Sequence, residues 1–181
     1  MPLHVLIPKK EVFDHSTNEF IEIKETDLVL EHSLLSISKW ESKWHRPYLS
    51  KDEKTSEQAM DYIRCMTLNK SLDGNVYRGL TKSNLEAIAE YIKDPMTATT
   101  FGDRPRKPSR EVVTSELIYY WMTALNIPFE PCQKWHINKL MTLIEVASIK
   151  NAPPKKMSKA DIMRRNHTLN AQRRAKHHSS G

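Results

Sequence analysis

Glycine is scarce, four in 181 residues, which leaves little material for the glycine-rich loops that cradle phosphate groups in nucleotide-binding folds. Cysteine is scarcer: the two, Cys65 and Cys132, stand alone in their segments and form neither a disulfide framework nor a four-ligand zinc pattern. Apolar runs are short, as in Leu117 to Met122 (LIYYWM), whereas about 20 apolar residues are needed to cross a bilayer. The opening MPLHVLIPKKEVFD places Lys9 and Lys10 after a very short apolar stretch, the reverse of a secretion signal. The expected compartment is therefore a reducing cytosol, with no cofactor motif in view.

What is present is a composition of 39% hydrophobic and 28% charged residues, that of a helix-rich globular chain with enough apolar material for one core. Its net charge of +6 is unevenly placed. From residue 150 onward there are nine Lys or Arg against one acid, Asp161, while the preceding residues carry 19 basic and 21 acidic groups. The basicity is a property of the C-terminal segment, and clustered cations attract phosphates and acidic protein surfaces alike.

Periodicity then assigns elements. Leu3 to Ile7 and Phe20 to Ile23 are β-branched or aromatic-rich, and the polar stretch Asp14 to Glu19 suits a turn, so a hairpin or two short strands is expected. Leu30, Leu34, Ile37, Trp40 and Trp44 recur at helical steps before Pro47. A second helix follows Thr55, whose capping box is completed by Gln58, with Ala59, Tyr62, Ile63 and Met66 inward. A third is capped by Thr81 or Ser83, carries Leu85, Ile88 and Ile92, and stops at Pro95. Residues 97–109 read as an exposed loop.

A fourth, central helix is expected from a Ser109 cap, with Val112, Val113, Leu117, Tyr120, Trp121 and Leu125 as its apolar face. A fifth begins at Pro131, runs through Trp135, Leu140, Leu143 and Ile144, and forms an antiparallel hairpin with the fourth. Residues 151–156 (NAPPKK) form a stiff linker. Ser158 with Asp161 starts a last helix, whose apolar residues, Ile162, Met163 and Leu169, are too few for firm docking. The expected architecture is a mainly α-helical bundle: an N-terminal β-hairpin over 1–29, a helical core over 30–149, and a basic linker with a C-terminal helical tail over 150–181.

Candidate chemistry is thin. His32 and His45 lack a positioned partner in the sequence and receive no catalytic role. Cys132 and His136, with Cys65, could supply metal ligands if one helix began at Pro131, but no second ligand pair accompanies them. Trp40 and Trp44, interleaved with Lys39, Lys43 and Arg46, could stack bases, yet they extend the Leu34 and Ile37 stripe and read better as packing or a protein interface. Tyr119, Tyr120, Trp121 and Trp135 read the same way. The basic segment, with Lys155, Lys156, Lys159, Arg164, Arg165, Arg173, Arg174 and Lys176, is the most informative polar feature.

At Leu30 to Met66, Asp94 to Thr100 (DPMTATT), Thr114 to Asn126 (TSELIYYWMTALN) and Pro153 to Lys159 (PPKKMSK), the chain resembles a family of small tailed-bacteriophage proteins, the tail assembly chaperones. The segments that carry the resemblance are spread along most of the chain, from residue 30 to residue 159, and include no catalytic signature. It implies a non-enzymatic protein of the infected host cell's cytoplasm that binds the tape measure protein, helps tail-tube subunits polymerise around it, and leaves before the virion is complete. On that reading Trp40, Trp44, Tyr120, Trp121 and Trp135 would line an apolar client groove. The basic segment would contact acidic parts of the client or a second copy of the chain. A virion subunit of a head-tail connector or tail-terminator ring is the alternative, and a nucleic-acid-binding module acting through the basic segment is the third reading.

Overall fold

The computed structural model describes residues 1–14, 18–101, 111–152 and 158–177. It divides the chain into two compact units, Met1–Ser148 and Ile149–Gly181.

The first unit opens with four strands: β1 (Leu3–Ile7), β2 (Lys10–Asp14), β3 (Glu19–Ile23) and β4 (Thr26–Leu30). β1 pairs antiparallel with β4, Leu3 opposite Leu30, and β2 pairs antiparallel with β3, Lys10 opposite Ile23. The second pair is thus nested inside the first. Pro8 lies between β1 and β2, where a residue without a backbone N–H interrupts the ladder. Val5, Ile7, Leu28 and Leu30 alternate inward while Leu6 faces out, the two-residue period of a half-buried ribbon. A mainly α bundle with one short hairpin is therefore the wrong description. The fold is mixed, with two antiparallel strand pairs, because Lys10–Asp14 and Thr26–Leu30 are strands as well. Leu30, assigned above to the first helix, ends β4.

Helix α1 (Leu34–Trp44) packs on α2 (Ser56–Met66) and on α4 (Ser115–Ala124). Ser33 and Ser36 form a capping box at the start of α1, and Thr55 with Gln58 forms the expected one at α2. Thr81, not Ser83, caps α3 (Lys82–Lys93), with Asn84 closing its box. On α2, Tyr62, Ile63 and Met66 are buried as expected and Ala59 is exposed. A 3-10 turn over Gly74–Gly79 lies against β2 and β3. A Cβ at Gly79 would collide with Ile7 Cγ2 and lie 3.2 Å from Ile23 Cγ2, so glycine is required there by close approach.

α4 departs from the sequence expectation in start and phase. Thr114 caps it, and Val112 and Val113 precede it; Ser109 falls outside the described residues. Its buried positions are Ser115, Ile118 and Met122, one step round the helix from the expected Leu117, Tyr120 and Trp121. Nor does one helix run from Pro131. A short α5 (Phe129–Cys132) precedes a break, and α6 (Ile137–Asn151) begins after His136. α4 approaches α1 closely, and Ile118 and Met122 of α4 share the core with Leu140 and Ile144 of α6. Cys132 and His136 consequently do not share a helix face, which removes the geometry their metal reading required.

The centre of the unit is the extended segment after β4. Glu31 N–H donates to Met66 O at 2.9 Å and Leu68 N–H to Val29 O at 2.8 Å, while Ile137 N–H donates to His32 O at 2.7 Å. This segment therefore ties the end of α2 to the start of α6. In the second unit, α7 (Lys159–His177) starts as expected: Asp161 N–H donates to Ser158 Oγ at 3.1 Å and Ser158 Oγ–H to Asp161 Oδ2 at 2.6 Å. Residues 153–157, with Lys155 and Lys156 of the expected linker, fall outside the described residues, as do 102–110 of the expected loop and 15–17 of the expected turn. Among the described residues no helix is long and apolar enough to cross a membrane.

Candidate functional site

The aromatic candidates do not assemble into one groove. Trp40 is only 1% exposed, and its indole N–H donates to Gln58 O at 2.9 Å, which makes it the pin between α1 and α2 and withdraws it from any client surface. Trp44 is half-buried and donates to Asp61 Oδ2 at 2.9 Å; Lys43 Nζ donates to Asp61 Oδ1 at 2.5 Å. Burial works against the Asp61 carboxylate, but the hydrogen bonds from Lys43 and Trp44 and the Lys43 charge outweigh it and hold its pKa below the usual range. Tyr120 is 66% exposed, and Trp121 is half-buried beside the core. Trp135 lines a cleft of about 260 Å³, whereas the depression beside Trp40, Lys54 and Gln58 is too shallow to hold a ligand.

Behind that cleft lies a polar cluster that the sequence does not bring together. The His32 Nδ1 and Tyr62 hydroxyl are hydrogen-bonded, Tyr62 stacks on Tyr48 with ring centroids 3.7 Å apart, and the His32 and His136 rings meet edge-on at 5.0 Å. Burial, with the neighbouring His136 second, pushes the His32 pKa down to about 3. His136 is lowered as well, chiefly by burial, against the opposing Tyr91 carbonyl and the charges of Glu31 and Asp94. Its Nε2–H donates to Tyr91 O at 3.1 Å while Nδ1 accepts from Asn138 N–H at 3.3 Å, a pairing that fits one neutral tautomer. Tyr91 O–H donates to Glu31 Oε1 at 2.7 Å. Burial raises the pKa of Tyr62 and of Tyr91, so both phenols remain protonated. These groups are engaged with one another inside the fold, which suits packing and polar satisfaction better than proton transfer to a substrate.

Apart from a more open cleft of about 290 Å³ between Glu41, His45, Pro47, Thr114 and Glu116, a pair of adjoining clefts opens on the first unit. One, about 330 Å³, is lined by Leu35, Met66, Leu68, Cys65, Ser33, Ser36 and Lys39, and the other, about 260 Å³, by Met96, Trp135, His136 and Lys139; both share Pro2, Glu31 and Lys134. The lining of the larger cleft is mainly apolar, with Leu68 53% exposed, while that of the smaller is about evenly polar and apolar. Three lysines stand on the lining against one carboxylate, Glu31, which already accepts from Tyr91. Lys139 Nζ lies 4.6 Å from the Trp135 ring centroid, and Lys134 pairs with Glu130 at 3.0 Å. The Cys65 thiol is half-buried and its pKa is raised, first by burial and then by Asp61, so it is no thiolate nucleophile.

What this arrangement offers chemically is apolar contact with cationic rims. Sequence reasoning reached Trp135 and noted Lys39, but missed Leu35, Leu68, Lys134 and Lys139, whose common location depends on the segment after β4 joining the end of α2 to the start of α6. The lysines at 134 and 139 flanking Trp135 are the local signal that could have pointed there. The basic segment is a separate feature: α7 carries Lys159, Arg164, Arg165, Arg173, Arg174 and Lys176 against Asp161. Among the described residues no cluster of His, Cys, Asp and Glu could hold a metal ion. Compared with known families, with curated proteins and with solved structures, the chain gives no match.

Proposed function

We propose that this protein is a non-enzymatic assembly chaperone of the tailed-phage kind its sequence resembles, working in the host cell cytoplasm on the tape measure protein while tail-tube subunits assemble. The observation that supports the reading is the pair of adjoining clefts, the larger mainly apolar, rimmed by Lys39, Lys134 and Lys139. Two neighbouring cavities on one surface suit successive apolar side chains of an amphipathic helix, a recurring way of holding a helical client. Lysine stems extend the apolar surface while their ammonium groups meet acidic residues along the client's flanks. The catalytic alternative has little to draw on, since His32 and Tyr62 are occupied with each other and the Cys65 thiol is protonated.

The test is co-expression of the full chain with the neighbouring gene products of its genome, with mass spectrometry of purified particles alongside. Capture of a long helical partner together with absence from particles is the expected outcome. Stoichiometric presence in particles would overturn it in favour of a ring subunit of the connector or tail terminator.

A further inference from the structure

α7 differs in kind from the helices of the first unit, which bury a stripe against a neighbour. Its apolar residues are Ile162, Met163 and Leu169 with three alanines, and every other position is polar or charged. A helix that docks on a protein surface needs apolar anchors on one face, because desolvated contact supplies most of the affinity there. A helix that docks on a phosphate backbone needs cations alone, since counterion release supplies the driving force.

The angular placement of the arginines sharpens this choice. At about 100° per residue, Arg164 and Arg174 fall within ~80° of each other on one side of the helix, and Arg165 and Arg173 fall within ~80° of each other on the opposite side. Lys176 joins the second group. Within each pair the residues are spread roughly 12–15 Å along the axis, at about 1.5 Å per residue. A flat acidic protein surface could engage only one of these sides at a time. The major groove of duplex DNA, about 12 Å wide, admits a helix of about 10–12 Å diameter and places a phosphate strand along each flank. Asn166, Asn170 and Gln172 add neutral donors that reach phosphate or sugar oxygens.

We propose that α7 is a DNA-binding helix that lies in the duplex major groove and grips the phosphates on both of its flanks, without reading base sequence. The proposal does not rest on the client clefts and goes beyond the assembly role proposed above. The account differs from contact with an acidic protein in requiring both sides of the helix.

The experiment uses the full chain and a fluorescently labelled duplex of about 24 random base pairs, with anisotropy followed from about 50 to 300 mM NaCl. Two double variants, R164Q/R174Q and R165Q/R173Q, remove one side each; circular dichroism checks that each retains the wild-type helix content. The expected result is micromolar or tighter binding at about 50 mM salt with a steep negative slope of log affinity against log salt, about 0.9 per phosphate contacted. Each double variant should bind at least about tenfold more weakly and lose roughly 2 units of that slope. No binding at about 10 μM protein in 50 mM salt would overturn the proposal. So would a loss confined to one pair, or displacement of the duplex by a polyglutamate peptide at equal charge concentration, which would point to an acidic protein partner.

Discussion

The two units show what apolar residues do for a chain and what their shortage leaves. In Met1–Ser148, charged and polar side chains are drawn into the fold: Glu41 accepts from Tyr48 N–H and from Ser115 N–H, each at 2.8 Å, and so ties the residues after α1 to the start of α4. Asp61 joins Lys43 to Trp44, and Arg78 Nη1 donates to Asp14 Oδ2 at 2.7 Å across the ribbon and the 3-10 turn. The carboxylates of Asp14, Glu41 and Asp61 lie buried beside a core of Ile7, Leu28, Leu30, Leu34, Ile37, Trp40 and Met122, while Lys43 and Arg78 reach them from the surface. α7 has no such stripe, and its helix rests on capping by Ser158 and on intrinsic propensity. The first unit can therefore shape clefts, whereas α7 is a carrier of charge.

Replacing Trp40 with Ala attacks that contrast at its centre: the variant should lose about 3–5 kcal/mol in denaturant unfolding, a large share of the roughly 5–15 kcal/mol typical of a domain. A loss below about 1 kcal/mol would mean that Trp40 is not the pin between α1 and α2. Acid should act through the buried histidines. Because the folded-state pKa of His32 lies at about 3, below its ordinary 6.5, the unfolded chain takes up the proton first. Stability should thus be level above pH 6.5 and fall progressively as the pH drops toward 3, by on the order of 4 kcal/mol from His32 alone. Unfolding midpoints across that window check the slope, which His32→Gln should flatten.

Gly79→Ala should cost about 1–3 kcal/mol by forcing its new methyl into Ile7 and Ile23, measured as a shift in denaturant midpoint. Thr55→Ala removes the hydrogen bond from Gln58 N–H, 3.2 Å long, and should cost about 1 kcal/mol in the same assay. A synthetic peptide of residues 159–177 gives the smallest signal: its far-ultraviolet circular dichroism should show a marginal helix that strengthens in low salt on adding duplex DNA.

Local chemistry was the legible part of the sequence. The Thr55 and Gln58 box, the stops at Pro47 and Pro95 and the Ser158 start are contacts between near neighbours, and they stand where the pattern put them. The strands were only half legible. Thr26–Leu30 (TDLVL) is short enough that Leu30 also fits the helical spacing of Leu34 and Ile37, and its partner β1 is distant in sequence. α4 was misread by one position because LIYYWM is apolar all round, so that periodicity alone does not fix which residue faces α1. The clefts were the least legible, because Pro2, Leu35, Leu68, Met96 and Trp135 meet only through long-range pairing. Trp40 misled for the opposite reason, since an aromatic beside lysines looks alike whether it serves a core or a partner.

The most direct test of the account compares two substitutions in client capture by the full chain: Leu68→Asp in the larger cleft and Tyr120→Asp on the exposed face of α4, each first shown to melt as the wild type does. The account predicts that Leu68→Asp lowers recovery of the helical partner about tenfold or more while Tyr120→Asp leaves it unchanged. Unchanged capture by Leu68→Asp, or loss with Tyr120→Asp alone, would contradict the assignment of the clefts as the client site.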